Sequence, residues 1–311
     1  KALYDYEKGE QLAEKVRNQL ESNLECLGVT GVEDKLQDDV EKTIGSLRGA
    51  GIQVWMLTGD KVETATCISI STGLKSRSQP HFFMKEIDNL NEVEFRLKEL
   101  ERNVENTCFM IDGNTLDICM SNRNTEETFF EIACKAPVVC VCRCSPTQKA
   151  VITKKVRKYT GKRVACVGDG GNDVGMILES NVGIGIVGKE GKQASLAGDF
   201  SINQFSYLKR LILWHGRLSY KRSSLLSQFV IHRGLIISVM QAVFSLVFYY
   251  VSIPIYNGYL MLGYATVYTS MPVFSIVLDK DTGVQQALDY PPLYKTLQKG
   301  RSLSFKTFLI W

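Results

Sequence analysis

Residues 163–177 read RVACVGDGGNDVGMI, an apolar run that passes through a glycine-rich turn into a second apolar pattern. The run predicts a buried strand, and the pattern after the turn predicts a helix. Asp169 and Asp173 lie in the turn itself. In a parallel α/β fold, ligands gather where the carboxyl end of a strand meets the next helix. This stretch therefore predicts both a fold class and a binding site.

Strand-like and helix-like runs alternate on both sides of that stretch. Gly51 and Gly73 fall just past two of the helical patterns, where a left-handed C-terminal cap favours glycine. A polar stretch, 75–106, predicts an insertion with one helix around EVEFRLKELERNVE (92–105). The remaining strand patterns are CLGVT (26–30), IQVWMLT (52–58), CFMID (108–112), VVCVCRC (138–144) and NVGIGIV (181–187), and helices are predicted over 38–48, 61–72, 146–159 and after Asn172. Strands separated by helices of this length predict an α/β domain whose parallel sheet is covered on both faces.

Apolar residues, 45% of the chain, are unevenly distributed. Charged residues interrupt every run up to Leu213, whereas two long apolar segments follow, at about 225–251 and 259–278. SIPIYNG (252–258) separates them, and basic residues flank both outer ends. Segments of this length predict a transmembrane helical hairpin with both ends in the cytoplasm. A buried hairpin of a soluble protein is the alternative.

Charge and cysteine content limit the possible partners and compartments. The net charge of +4 is mild and gives no reason to expect nucleic acid. The nine cysteines lie in apolar runs, which is typical of reduced thiols in the cytosol. Cys140, Cys142 and Cys144 alternate as core-strand positions would, with a metal site as the alternative.

The first candidate strand end is MLTGDKVET (56–64). Thr58 and Gly59 offer a hydroxyl and an unhindered backbone amide that can hold a phosphate. Asp60 followed by Glu63 also fits a capping box, in which case the local geometry needs no ligand.

The second candidate strand end is RCSPTQKAV (143–151). Ser145, Pro146 and Gln148 predict a capped helix start. Lys149 in the first turn is unexpected, because a cation opposes the positive end of the helix dipole. A nearby anion would explain it, and a solvated surface lysine is the alternative.

The third strand end carries Asp169 and Asp173. As hard oxygen ligands in a strand-end loop they suit Mg²⁺, which takes one or two carboxylates together with phosphate oxygens and water. Asn172 can add a hydrogen bond to a phosphoryl group. A capping role is the alternative for Asp173, but it leaves Asp169 and the glycines of the loop unexplained.

Thr58, Lys149 and the GDGGND loop (168–173) together resemble the last three motifs of the haloacid-dehalogenase superfamily. In that superfamily the first motif supplies an aspartate that becomes phosphorylated, normally within DKTGT. That motif occurs nowhere in this sequence. We therefore expect a fragment whose nucleophile lies upstream of Lys1.

The combination of TGDK (58–61), GDGGNDVGMI (168–177) and a basic helix that leads into apolar segments resembles a P-type ATPase. The resemblance implies an ATP-driven aspartyl-phosphate cycle on a haloacid-dehalogenase-like, doubly wound parallel sheet, followed by a transmembrane helical hairpin. It implies a connector helix from the nucleotide-binding domain at 1–23, the C-terminal part of the phosphorylation domain at 24–213, and a membrane region at 214–311 that includes a cytoplasmic loop to a third span.

The same resemblance assigns roles to residues of the three strand ends. Lys149, Thr58 and Asp173 would act on the phosphoryl group. Asp169 and Asp173 would hold Mg²⁺. Contacts to ATP or its phosphates are implied for Thr58, Gly59, Asp60, Arg143, Lys149, Asn172 and Asp173.

The cargo can be argued from the apolar segments. Residues 200–278 contain no Asp or Glu, although cation pumps need carboxylates there to replace the water around an ion. An uncharged or zwitterionic cargo fits better. GVTGVEDKLQDDV (28–40), HGRLSYKRSS (215–224) and YTSMPVFSIVLDKD (268–281) resemble the phospholipid flippases, the type IV branch.

A finer resemblance concerns the membrane in which the protein resides and its need for an accessory subunit. SQFVIHRGLIISVMQAVFSLVFY (227–249) and KGRSLSFKTFLIW (299–311) are similar to flippases of Golgi and endosomal membranes that work without an accessory subunit. Arg233 stands where many flippases have Lys, so it is either a lipid-gating residue or a side chain that snorkels to the interface. A cation-transporting P-type ATPase, a cytosolic phosphatase and a non-catalytic membrane fragment are the alternative functions.

Overall fold

The computed structural model describes residues 9–22, 24–25, 27–28, 36–188, 192–298 and 300–310. The chain divides into two compact units, Lys1–Leu36 and Gln37–Trp311. The first unit contains helix α1 (Gly9–Leu20), where the sequence predicts a helix; its role as a connector stays a prediction. Most of the predicted strand CLGVT falls outside the described residues.

Seven strands occur in the described residues, and every pairing between them is parallel. The first sheet has the order β1-β4-β3-β2, and the second has the order β5-β6-β7. The predicted parallel α/β class is thus confirmed, although the strands form two hydrogen-bonded sheets rather than one. Their bounds are β1 Trp55–Leu57, β2 His81–Met84, β3 Cys108–Asp112, β4 Val138–Cys142, β5 Ala165–Gly168, β6 Val182–Ile186 and β7 Phe200–Ile202.

Helices cover both faces of the first sheet. Every residue of β3 and β4 is buried, and alternate residues enter different apolar clusters, because successive side chains point to opposite faces. Phe109 and Val139 pack in one cluster, and Met110 and Cys140 pack in the other. The core-strand interpretation is therefore confirmed for Cys140 and Cys142 but is wrong for Cys144, which is buried past the end of β4 and packs in the other cluster. The helices around the first sheet are α2 Val40–Gly49, α3 Val62–Ser71, α4 Leu90–Glu101, α5 Gly113–Ser121, α6 Arg123–Ala133 and α7 Pro146–Thr160, and α8 Val174–Glu179 and α9 Gln193–Ala197 pack against the second sheet.

The structure corrects the expectation for 75–106. The predicted helix is present as α4, but the segment also contains β2, which pairs with β3 at the edge of the sheet. Four residues with a partly exposed pattern are too short to show a period of two in the sequence. Gly51 and Gly73 have φ of +81° and +66°, as predicted for left-handed positions past α2 and α3.

Two long apolar helical stretches follow the sheets, Tyr207–Val247 and Gly258–Leu278, and both are long and apolar enough to cross a membrane. The first comprises α10 (Tyr207–Arg210), a π-helical segment (Leu211–Gly216) and α11 (Arg217–Val247). The second comprises α12 (Gly258–Gly263), a π-helical segment (Tyr264–Tyr268) and α13 (Ser270–Leu278). We call them span 1 and span 2.

Span 1 ends at Val247, before the limit of about 251 that the sequence suggests. Tyr249 and Tyr250 adopt φ of 55° and 62°, and this left-handed backbone cannot continue a right-handed helix.

A loop of short helices after span 2 contacts both the base of span 1 and the sheet region. Its helices are α14 (Val284–Asp289) and α15 (Lys295–Gln298), and α16 (Phe305–Ile310) follows. Gln298 Nε2 donates to the carbonyl oxygens of Ala50 and Gly51, at 3.2 and 2.9 Å, just past α2. We call residues 279–303 the linking loop.

Arg217 anchors the linking loop to the base of span 1. Its Nε and Nη2 lie 2.8 and 2.7 Å from Asp281 Oδ2, and its Nη1 donates to Leu293 O at 2.7 Å. Ser224 Oγ and Gln228 Nε2 both donate to Ser302 O at 2.8 Å. Burial raises the pKa of the Asp281 carboxyl, but the Arg217 guanidinium outweighs burial and the pKa lies below its ordinary value.

Substituting Asp281 by Asn should lower the thermal unfolding midpoint of the full-length protein, because Arg217 keeps its burial and loses its counter-charge. We expect a loss of about 2 kcal/mol. Since the pKa of Asp281 is depressed by folding, the contribution of the pair should be full at neutral pH and lost as pH falls below about 4.

The matched control is Glu127→Gln, which breaks the exposed pair with Arg123 and should cost less than about 1 kcal/mol. Equal midpoints for Asp281→Asn and wild type at neutral pH would contradict the anchoring role.

Candidate functional site

The turn after β1 is held by Thr58 and Asp60. Thr58 Oγ1 donates to Asp60 Oδ2 at 2.8 Å, and the Asp60 backbone N–H donates back to Thr58 Oγ1 at 3.1 Å. The predicted capping box of Asp60 and Glu63 is wrong, because Lys61 occupies the N-cap of α3 and no side chain caps it. Gly59 and Asp60 are exposed. The turn therefore presents a backbone and a carboxylate to solvent at the carboxyl end of β1.

Backbone hydrogen bonds join this turn to the end of β4. Arg143 N donates to Asp60 O, and Cys144 N donates to Thr58 O, both at 2.9 Å. Arg143 has φ of 48°, a left-handed conformation that is uncommon for a residue with a side chain and persists where surrounding contacts impose it. These bonds impose it, and the Arg143 side chain remains exposed.

The predicted capping box at the start of α7 is confirmed. Gln148 N donates to Ser145 Oγ at 3.2 Å, and Ser145 N donates to Gln148 Oε1 at 2.8 Å. Gln148 Nε2 also donates to Gly113 O at 2.9 Å, at the carboxyl end of β3. The helix start is thereby fixed to two neighbouring strand ends.

Lys149, one residue beyond that box, forms a buried ion pair. Its Nζ lies 2.8 Å from Asp173 Oδ1, and the two side chains are only 8% and 11% exposed. The anion explains a cation at a helix start, so the solvated-lysine alternative is wrong. Asp173 is the N-cap residue of α8, but its side chain makes no capping bond, so the capping alternative is wrong as well.

The glycines of the 168–173 loop are required by close contacts. A Cβ on Gly168 would lie 2.8 Å from both Cγ and Oδ2 of Asp173, which is nearer than real Cβ atoms approach. A Cβ on Gly170 would overlap Oδ1 of Asn172, and one on Gly171 would overlap Oε1 of Gln193. These glycines let the loop fold tightly over the ion pair.

Asp169 differs from Asp173 in its surroundings. It is exposed, and in the described part of the chain its carboxylate takes part in none of the hydrogen bonds or ion pairs. Asn172 is also exposed. Groups of three or more His, Cys, Asp or Glu suited to a metal are absent from the described residues, so a cation here would rely on two carboxylates.

The predicted site residues named above form two groups, which are connected along the chain. Thr58, Asp60 and Arg143 are tied through backbone bonds, and Lys149 and Asp173 are tied through their charges. Cys144 and Ser145 connect them along the chain. In the part of the chain that the structure describes, no hydrogen bond or ion pair joins the side chains of Thr58 and Lys149.

Two residues near the site, Asp112 and Gln193, were not predicted from the sequence. Asp112, buried at the end of β3, accepts from Thr115 N at 3.0 Å and from Glu86 N at 3.2 Å. An Asp that directly precedes a helix signals an N-cap, and that signal was available in CFMIDGNT (108–115). Gln193 meets Gly171 across a long sequence separation, which no local pattern predicts.

The cysteines beside the site are not nucleophiles at neutral pH. Burial raises the pKa of the Cys144 thiol to about 11 and that of the Cys142 thiol to about 12. Since the thiolate is the reactive form, chemistry at this edge depends on the carboxylates, Thr58 and Lys149.

Comparisons with known proteins show what the chain is similar to. Residues 195–311 match the model described as phospholipid-translocating P-type ATPase C-terminal. The chain is 56% identical, over 94% of its length, to "Probable phospholipid-transporting ATPase IIB" of Homo sapiens, of which 25% is matched. Over nearly its whole length the chain is thus similar to phospholipid-transporting ATPases.

Two further relatives agree with this similarity. "Phospholipid-transporting ATPase NEO1" of Saccharomyces cerevisiae is 53% identical over 97% of this chain and 26% of its own length. "Probable phospholipid-transporting ATPase tat-5" of Caenorhabditis elegans is 52% identical over 98% of this chain and 28% of its own length. The resemblance stated from the motifs is confirmed, and the chain spans about a quarter of the length of these relatives of the flippase family.

Removing either charge of the Lys149–Asp173 pair should destabilise the flippase-family fold, because the other charge is then buried alone. We expect about 3 kcal/mol for Lys149→Met and for Asp173→Asn. The double variant should lose about 2 kcal/mol less than the sum of the two, measured as unfolding midpoints.

The exposed pair Lys85–Glu63 is the control: Lys85→Met and Glu63→Gln should each stay within about 0.5 kcal/mol of wild type. Additive losses for Lys149 and Asp173 would show that their contact does not stabilise the fold.

Proposed function

We propose that the chain is part of an ATP-driven phospholipid translocase that cycles through an aspartyl phosphate. The observation that carries the proposal is the buried Lys149–Asp173 pair beside the open carboxylate of Asp169, at the carboxyl end of β5. This arrangement offers a fixed cation and a free anion at the same loop. Phosphoryl transfer needs both, because catalysis there consists mostly of positioning and charge stabilisation.

The phosphoacceptor aspartate is proposed to lie elsewhere in the whole protein, on a strand between β1 and β5. Each of these strands stands at the end of its sheet in the described residues. Val54 and Val167, next to and within them, pack in one apolar cluster. A parallel strand between the two edges would complete a single doubly wound sheet of the haloacid-dehalogenase type and bring its carboxyl end to this site.

In this proposal Lys149 offsets phosphoryl charge and Thr58 donates its hydroxyl to a phosphoryl oxygen. An ammonium has three N–H donors, and in the described residues Lys149 Nζ donates only to Asp173. The Thr58 hydroxyl rotates freely and can exchange Asp60 Oδ2 for a phosphoryl oxygen. The remaining proposed contacts to ATP or phosphate are Gly59, Asp60, Arg143 and Asn172.

The donor set fits Mg²⁺. Asp169 offers a free carboxylate, and Asp173 retains Oδ2, which makes no hydrogen bond within the described residues. Two carboxylates, with water and phosphate completing the shell, match the preference of this ion. Bound there, Mg²⁺ would neutralise charge on the phosphoryl oxygens. Lys149 would meanwhile hold Asp173 in place through Oδ1.

A phospholipid is the proposed cargo, rather than a cation. Residues 200–278 contain no carboxylate, so spans 1 and 2 offer no charged oxygen to replace the water around an ion. Relatives of this chain are named phospholipid-transporting ATPases. From the same resemblance we propose an integral protein of Golgi or endosomal membranes that works without an accessory subunit and binds no nucleic acid.

Substituting Asp169 by Asn should abolish lipid-stimulated ATP turnover in the full-length protein, since it removes the free carboxylate proposed for Mg²⁺. We expect at least a hundredfold loss of turnover, on the order of 3 kcal/mol in the barrier. The phosphoenzyme formed from ATP should also require more Mg²⁺ than in wild type. The unfolding midpoint should not change, because this carboxylate makes no contact.

Asp88→Asn is the matched control, since Asp88 is exposed and makes no hydrogen bond or ion pair in the described residues. It should behave as wild type in turnover and Mg²⁺ dependence. Normal turnover in Asp169→Asn would refute the magnesium role, and the absence of a phosphoenzyme in wild type would refute the proposed cycle.

A further inference from the structure

Arg233 lies within the apolar part of span 1, and its guanidinium points to span 2. Its Nη1 donates to Thr269 Oγ1 at 2.8 Å and to Ala265 O at 3.1 Å. A charged side chain among apolar helices is costly and is usually paired or functional. Residues 200–278 contain no Asp or Glu that could pair with it. A hydroxyl and a carbonyl of the neighbouring helix satisfy it instead.

The segment that Arg233 contacts is irregular. Tyr264–Tyr268 forms a π-helical turn between α12 and α13, and Pro272 follows in the first turn of α13. Proline lacks an N–H and its ring displaces the carbonyl four residues before it, so a helix usually bends or widens there. Within a membrane, backbone groups disturbed in this way must find partners on neighbouring helices or side chains.

Thr269 connects the two features. Its hydroxyl donates to Tyr264 O at 2.8 Å, across the π turn, while it accepts from Arg233. It is 8% exposed and is the only buried side chain of Gly258–Leu278, a stretch that the structure describes throughout. The chain of bonds from Arg233 through Thr269 to Tyr264 therefore closes the π turn and joins it to span 1.

We propose that Arg233 is a positioning residue, which holds the π turn of span 2 against span 1 through Thr269 and Ala265 rather than by contacting the transported lipid. The effect of these contacts on transport rests on the proposed function, whereas the contacts themselves do not. The geometry also opposes a snorkelling role, because the Nη1 end is engaged between the two helices. A π turn and a regular α turn differ by one residue in register, so a link at this point selects one of two discrete arrangements.

The link requires two acceptors that lie on successive turns of span 2. The planar guanidinium of Arg233 reaches both from one nitrogen, whereas a lysine ammonium is a point donor on a flexible stem. Arg233→Lys should therefore retain part of the effect, and Arg233→Gln, which loses the charge and the reach, should lose it.

The test is a double-substitution cycle in the full-length protein reconstituted in lipid, with Arg233→Gln, Thr269→Val and both together. We expect each single change to lower the unfolding midpoint and to lower lipid-stimulated turnover about tenfold, with the apparent lipid KM unchanged. The double variant should be no worse than either single one, since both remove the same link. Thr269→Ser keeps the hydroxyl and should behave as wild type.

Thr266→Val is the matched control. Thr266 lies in the same π turn, and its hydroxyl bonds only to Leu262 O in the described residues. The same substitution there should leave turnover within about twofold of wild type and should not shift the unfolding midpoint. A loss equal to that of Thr269→Val would show that the turn is merely sensitive to valine and would overturn the proposal.

Other outcomes overturn it in distinct ways. A raised lipid KM in Arg233→Gln, with wild-type behaviour in Thr269→Val, would make Arg233 a lipid ligand. Additive midpoint shifts would show that the two side chains do not act together, whatever the activity. If wild type showed no lipid-stimulated turnover but the midpoint shifts remained non-additive, the proposed function would fail while the link between the spans stood.

Discussion

The ion pair between Lys149 and Asp173 is the contact on which the site depends. It joins the first turn of α7, which follows the first sheet, to the loop after β5 in the second sheet. The pair thus brings together the segments that follow β4 and β5. Two charges buried together are electrically neutral, but neither tolerates loss of the other. Gly168, where a Cβ would clash with the Asp173 side chain, leaves room for that side chain beside β5.

The same ion pair gives the two aspartates of the loop different surroundings. Asp173 is held by Lys149, whereas Asp169 is exposed and makes no contact in the described residues. Asp169 can therefore offer both carboxylate oxygens to an added cation, whereas Asp173 can offer only Oδ2 without breaking its bond to Lys149. A phosphoryl group that arrives here would meet a lysine with spare N–H donors, so charge could be balanced without movement of α7. Only one of the two aspartates is therefore structurally constrained.

The sequence was sufficient for the parallel α/β class, because apolar runs separated by helical periods admit few other folds. The sequence also predicted the Ser145–Gln148 capping box and an anion near Lys149. Both predictions follow from residues in the first turn of α7, where the box lies and where a cation is unfavourable. It failed for Asp60, where Thr58 competes for the carboxylate that would have capped α3. It failed for β2, whose strand character comes from pairing with β3. The first failure is a choice between two local partners of one carboxylate, whereas β2 depends on a partner distant in sequence, which local patterns do not contain.

The two arginine contacts of span 1 place it between the sheet region and span 2. Arg217 holds the linking loop at its base, and that loop bonds to the backbone of Ala50 and Gly51 through Gln298. Arg233 lies roughly 24 Å further along the helix, at 1.5 Å per residue. A rigid helix fixed at both points transmits a displacement at its base to the π turn of span 2. Coupling in this sense requires an element with two arrangements, not proximity alone. The π turn suits that role, because one residue of register separates a π turn from a regular helical turn.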